Sequence, residues 1–180
     1  MEEIQLINKY GVTLRKLTYA KIELVRFWRT HPKIAKFMTY QGNITLEQQE
    51  MWFEKINNSG KDFYFIIEVD DKEIGVINIK DVDFVKSEGE PGIFIWDDDY
   101  LDSDFSFRAS LCLNDFVFYD LKLEKMRAHV LADNKNAVKF NKFWGFKLSS
   151  NQENAVIHEY TLEKKEYEEV KKRIEKLFKN

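Results

Sequence analysis

The sequence predicts an α/β fold of the α+β kind: a mixed, mostly antiparallel central sheet of about seven strands, flanked by helices on both faces. Three observations carry this. Apolar spacing along the chain gives the order β, α, α, β, β, β, α, β, α, β, β, α. Two β-rich runs flank the polar turn Asp71-Lys72-Glu73, which makes a hairpin and therefore an antiparallel pair. The stretch from Gly92 to Leu131 reads strand, helix, strand, which calls for one parallel crossover. No linker, repeat or low-complexity run interrupts the chain, so residues 1–180 are expected to form one domain.

Val12 to Leu17 alternates apolar and polar, as a half-buried strand does. Thr18 is placed to cap a helix over residues 19–30, where Ile22, Leu24, Val25, Phe27 and Trp28 make a wide apolar face. His31-Pro32 ends that helix, because a residue before proline is driven out of the α region. Lys33 to Tyr40 suits a short helical turn, and Gly42-Asn43 breaks the chain. Thr45-Leu46-Glu47-Gln48 is a capping box opening a helix to about Asn57.

The hairpin strands are Asp62 to Asp70 and Ile74 to Lys80. A break at 86–90 precedes a strand at Gly92 to Trp96. Helix Ser103 to about Asp120 is apolar almost all round, so it must be covered on several sides. Met126 to Leu131 alternates as a strand, and Asn134 to Phe143 makes a short helix stopped by Gly145. Phe146 to Leu148 and Val156 to Leu162 close the sheet. The last helix, 164–178, carries Tyr167, Val170, Ile174, Leu177 and Phe178 on one stripe.

Composition excludes several classes. Hydrophobic residues make up 44% and aromatics 15%, enough for a real core, so disorder is excluded. A formal charge of −3 is not the basic balance of a nucleic-acid binder. One cysteine, Cys112, permits no internal disulfide and reads as a small buried hydrophobe. Histidines 31, 129 and 158 are far apart, so no metal-ligand spacing appears. No stretch is apolar enough for a membrane span, and no leader pattern is visible, so a cytoplasmic location is expected.

The stretch from Gly92 to Phe118 is the first place to look for a site. A strand feeding a helix leaves backbone N–H groups where a phosphate binds. Yet the loop carries Asp97, Asp98, Asp99, Asp102 and Asp104 and no glycine. At ~5 Å and an effective dielectric of roughly 20–80, each carboxylate facing a phosphate costs on the order of 1–3 kcal/mol. The spacing fails as an EF-hand, which needs glycine at its sixth position and glutamate at its twelfth.

Three stretches resemble the GNAT acetyltransferase superfamily, in the branch of the ribosomal-protein and flagellin amino-sugar acetyltransferases. The first is Arg26-Phe27-Trp28-Arg29-Thr30-His31-Pro32 with Ile34, Met38 and Thr45 to Trp52. The second is Ile93 to Phe118 followed by Leu121 to Met126. The third is Asn134-Lys135-Asn136-Ala137 with Phe140 and Gly145-Phe146.

The resemblance implies transfer of an acetyl group from acetyl-CoA to a primary amine, with a nucleotide-linked amino sugar as the preferred acceptor. It implies that the 92–96 and 126–131 strands splay to take the pantetheine arm. Ile95 and Trp96 would meet the arm. Ser103, Phe105, Ser106, Arg108 and Asn134 would meet the rest of the cosubstrate. Glu90 is the expected general base, ahead of Glu88 and Asp83. Arg29, His31, Met38, Tyr40 and Gln41 would build the acceptor side. Where the family's diphosphate loop has Gln or Arg and a central Gly, this chain has Leu101 and Asp104, a degenerate version. Where many members have an acidic tyrosine, it has Asn141. A second reading is therefore a GNAT-fold binding or scaffold protein that no longer binds acetyl-CoA tightly.

Overall fold

The computed structural model describes residues 5–101, 103–152 and 154–178, with the side chains of 175–178 excepted. Asp102 and the side chains of Leu177 and Phe178 lie outside the described residues. Eight strands form one sheet in the order β1-β2-β3-β4-β5-β6-β8-β7. They are β1 (Leu6–Lys9), β2 (Val12–Lys16), β3 (Phe63–Val69), β4 (Lys72–Asp83), β5 (Glu88–Ile95), β6 (Lys125–Leu131), β7 (Lys147–Leu148) and β8 (Ile157–Glu163). The helices are α1 (Ile22–Thr30), α2 (Pro32–Ala35), α3 (Leu46–Ser59), α4 (Phe105–Asp115), α5 (Lys135–Phe143) and α6 (Lys164–Phe178).

The chain folds as two compact units. One holds the chain up to Asp81 together with Gly92–Leu113; the other holds Val82–Pro91 together with the chain from Asn114. In the first unit, β1, β2, β3 and β4 pair antiparallel, with Leu14 opposite Ile67 and Phe65 opposite Ile77. The middles of β3 and β4 are buried on both faces, which explains their continuous apolar runs. Leu17, Val25, Ile56, Ile66, Val76 and Trp96 form a core cluster with Trp28, Trp52, Phe53, Tyr64 and Phe94 packed against it. Each such aliphatic or Phe side chain contributes roughly 1.5–3 kcal/mol on leaving water. Gly75 is required there: a Cβ would lie 2.5 Å from the Phe94 carbonyl oxygen.

In the second unit, β5 meets β6 in parallel at Glu88↔Lys125 and Gly89↔Met126. β6 and β8 pair antiparallel along their whole length, from Lys125↔Glu163 to Leu131↔Ile157. Met126, Ala128, Tyr160 and Leu162 point inward and are buried, as are Tyr167, Val170 and Ile174 of α6. Glu88 is buried; Lys125 at 3.0 Å and Arg127 at 2.8 Å, both on β6, pair with it and pin the parallel ladder.

Several expectations are corrected. There are eight strands, not about seven; β1 is the addition, a largely exposed edge strand whose residues lack apolar contrast. β5 begins at Glu88, inside the expected break, and passes through Pro91. The 19–30 helix is a 3-10 turn at Tyr19–Lys21 followed by α1, and the Thr18 side chain makes no capping bond. The long fourth helix widens at its end into a π-turn, Phe116–Asp120, with Leu121 N–H donating to Phe116 O at 2.9 Å. The Thr45–Gln48 capping box is present in both directions. Gly145 ends α5 at φ +91°, a conformation that favours glycine. Among the described residues, no helix is long and apolar enough to cross a membrane.

Candidate active site

The acidic loop after β5 resolves its own conflict. Asp97 pairs with Lys72 at 2.8 Å, and Asp99 lies 3.7 Å from the same ammonium. Asp98 pairs with Lys33, which also donates to Trp96 O at 2.9 Å. Asp104 is turned onto Arg108, one helical turn on, at 2.7 and 2.8 Å. Four carboxylates thus face three cations, leaving one net negative charge among these seven groups. The stacked repulsion that the bare sequence implies is largely cancelled locally.

The Lys72 hydrogen bond holds the Asp97 carboxyl below its usual 3.8, and the same bond holds Lys72 above its usual 10.5. The pair's support is therefore present above pH 3.8 and fades as pH falls through the lowered carboxyl value. At the alkaline end it fades only as pH rises through the raised ammonium value.

The loop leads into α4. Arg108 N–H donates to Asp104 O at 3.0 Å, and the N–H groups of a helix's first turn point out of its start. The Phe105 N–H reaches Ser103 Oγ at a long 3.4 Å, while Ser103 Oγ donates to Tyr100 O at 2.6 Å. Arg108 also donates to Tyr10 O at 3.2 Å, which holds its guanidinium in place. Backbone donors at a helix start beside an arginine are the kind of arrangement that can bind an anion. Replacing Asp104 by Asn removes one negative charge beside Arg108 and should tighten acetyl-CoA binding roughly three- to tenfold at low salt, with the gain shrinking as salt rises. Isothermal titration at two ionic strengths checks this; an unchanged affinity places Arg108 away from phosphate.

The structure places the other expected residues as follows. Trp96 is buried, stacks on Trp28 at 6.2 Å and 4°, and donates its indole N–H to Glu73 O at 3.0 Å. Its backbone N–H goes to Ile74 O at 2.9 Å. Ile95 is also buried. The Asn134 side chain caps α5, accepting from Ala137 N–H at 3.1 Å. His31 Nδ1 accepts from Lys33 N–H at 3.3 Å and so caps α2. Tyr40 is exposed, and Gln41 donates to Lys36 O and Met38 O. Arg29 Nε is buried without a hydrogen-bond partner, and among the described residues Arg29, like Arg173, forms no ion pair with a side-chain carboxylate. Asn141 lies in α5, where its backbone oxygen accepts from Phe146 N–H. Tyr119 is packed against Lys164 and Lys171, and Tyr100 against Lys72 and Phe105.

Glu90, the expected base, lies 3.0 Å from His129 Nδ1. Sequence reasoning missed His129 as a partner. The alternation of β6 puts Arg127 and His129 on one face, but the register that sets Glu159 opposite His129 is not visible in the sequence.

The architecture is a mixed sheet with one parallel crossover and a strand-loop-helix between β5 and α4. The chain belongs to the GNAT acetyltransferase family: residues 12–147 match the acetyltransferase (GNAT) domain. It is an acetyl-CoA-dependent N-acetyltransferase of the GNAT type. Acetyltransferase PseH of Campylobacter jejuni subsp. jejuni serotype O:23/36 (strain 81-176) is 28% identical over 127 residues, 69% of this chain and 75% of that protein. The fold is that of spermidine N-acetyltransferase from Vibrio cholerae in complex with CoA and spermine, with TM-score 0.74 and 18% identity over 87% of this chain and 98% of that one. It is equally that of apo FdhC, a nucleotide-linked sugar GNAT, with TM-score 0.75 and 20% identity over 91% of this chain and 93% of that one.

Proposed function

We propose that the acceptor is a nucleotide-linked amino sugar, that Arg29 receives its phosphate and that Glu90 removes the amine proton. The observation that carries the acceptor class is the Arg29 guanidinium, whose Nε is buried without a hydrogen-bond partner and which, among the described residues, forms no ion pair. By contrast, Arg15, Arg26, Arg108 and Arg127 are each paired with a carboxylate. An arginine left without a counter-charge suits a planar, two-pronged phosphate contact. The likeness in fold to FdhC, a nucleotide-linked sugar GNAT, supports the same class, and so does the resemblance to the flagellin amino-sugar branch. In this reading the 101–106 loop departs from the usual glycine-rich pattern yet still takes the cosubstrate's diphosphate, through the N–H groups at the start of α4.

The test compares UDP-glucosamine with glucosamine. A charge-assisted contact contributes about 1.5–3 kcal/mol, so Arg29→Ala should raise the KM for UDP-glucosamine about 10- to 100-fold. The KM for glucosamine should hold within twofold. An equal change for both sugars removes Arg29 as a phosphate contact.

A further inference from the structure

The charged groups on β5, β6 and β8 of the second unit form a chain of which the assigned roles use only Glu90. His129 is held from both ends of its ring: Nδ1 lies 3.0 Å from Glu90 Oε2 and Nε2 lies 3.5 Å from Glu159 Oε2. Glu159 is fixed in turn by Ser149 Oγ, which donates to it at 3.0 Å, and faces Arg127 at 3.8 Å. Arg127 itself is drawn to the buried Glu88 at 2.8 Å, beside Lys125. The side chains of Glu90, His129 and Glu159 are 25%, 38% and 32% exposed, so the cluster is open to a solute.

We infer that His129 is a positioning residue for the acetyl transfer, fixing Glu90 through Nδ1 while Glu159 anchors the far side of the ring. The inference rests on Glu90 as the base. A glutamate side chain on a strand has several rotamers; an N–H on one oxygen selects among them and sets the direction of the other. Nδ1–H is the donor that does this; the doubly protonated ring also donates from Nε2 to Glu159, whereas the neutral Nδ1–H ring meets Glu90 alone.

In the step itself, the acceptor ammonium gives a proton to the Glu90 carboxylate. The nitrogen lone pair attacks the thioester carbonyl and the C–N bond forms; as the C–S bond breaks, the nitrogen's second proton passes to the departing CoA thiolate, leaving a neutral amide and the free thiol, and Glu90 returns its proton to solvent. The Nδ1 proton of His129 stays on the ring throughout.

The experiment follows CoA thiol release from acetyl-CoA with UDP-glucosamine, with spermidine and with no added amine, where water takes the nucleophile's place. Three forms are compared: the parent, His129→Ala and His129→Asn, whose amide keeps a donor near the place of Nδ1. His129→Ala should lower kcat roughly 10- to 100-fold with KM within twofold. His129→Asn should recover most of the loss, and added imidazole should partly restore His129→Ala. A kcat within twofold of the parent in His129→Ala overturns the inference. So does a loss equal in both variants that imidazole does not repair, since that is the mark of a merely structural residue. Failure of UDP-glucosamine alone, with spermidine or water still reacting, sinks the acceptor assignment, and the His129 comparison is then read on those reactions.

Discussion

Replacing Asp115 with alanine is expected to lower the unfolding free energy by about 3–5 kcal/mol. Asp115 is buried at the end of α4, with its carboxylate 2.6 Å from the Tyr167 hydroxyl and 2.6 Å from Lys171 Nζ. Tyr167 is fully buried, and Lys171 is largely so. Removing the carboxylate takes the counter-charge from an ammonium and the acceptor from a phenol where water reaches poorly, and that loss is larger than the pair's net contribution. Tyr167→Phe takes away one donor and leaves the ion pair, so it should cost only about 1 kcal/mol. Urea melts followed by circular dichroism separate the two. The midpoint should fall steeply for Asp115→Ala with an unchanged slope. A drop below about 1 kcal/mol for Asp115→Ala would mean that water enters the site and that the network is weakly coupled. Against a usual total of about 5–15 kcal/mol, the expected loss is a large fraction.

Those partners lie 52 and 56 residues from Asp115, and that distance marks the limit of what the sequence discloses. Local signals read true. The Thr45–Gln48 box closes because both its bonds span three residues. Gly145 stops α5 because φ +91° is set within one turn. The β3–β4 hairpin follows from two β-rich runs and a polar turn.

Features set by remote partners do not read this way. Glu88 looks like a loop residue until Lys125 and Arg127 arrive from β6 to neutralise it, which is why the start of β5 was invisible. The acidic loop looks repulsive until Lys33 and Lys72 reach it, one of them from 65 residues away. β1 is missed for a different reason: an exposed edge strand needs only its backbone bonds to β2, and those leave little trace in side-chain pattern. In the candidate site, Glu90 was chosen for its place before a strand, whereas its partner His129 depends on a parallel crossover whose register no local pattern fixes.

Glu90→Gln should lower kcat by about 10²–10³ while leaving the KM for acetyl-CoA within twofold. Gln keeps the length of Glu and can still accept from His129 Nδ1, so the strand and its neighbours are undisturbed; what it cannot do is take a proton. The sign of the pH response follows. At neutral pH most acceptor molecules are ammonium ions, and the parent enzyme must deprotonate them. As pH climbs toward the amine's own value, free amine accumulates and the base is needed less. The deficit of Glu90→Gln relative to the parent should therefore shrink steadily with rising pH. Glu90→Asp, with a carboxylate drawn back by one methylene, should fall between the two. Rate profiles of all three forms from pH 6 to 10 check this directly, alongside melting temperatures to confirm folding. A deficit that stays constant across the range places the proton acceptor elsewhere and leaves Glu90 as a partner that holds His129 in place.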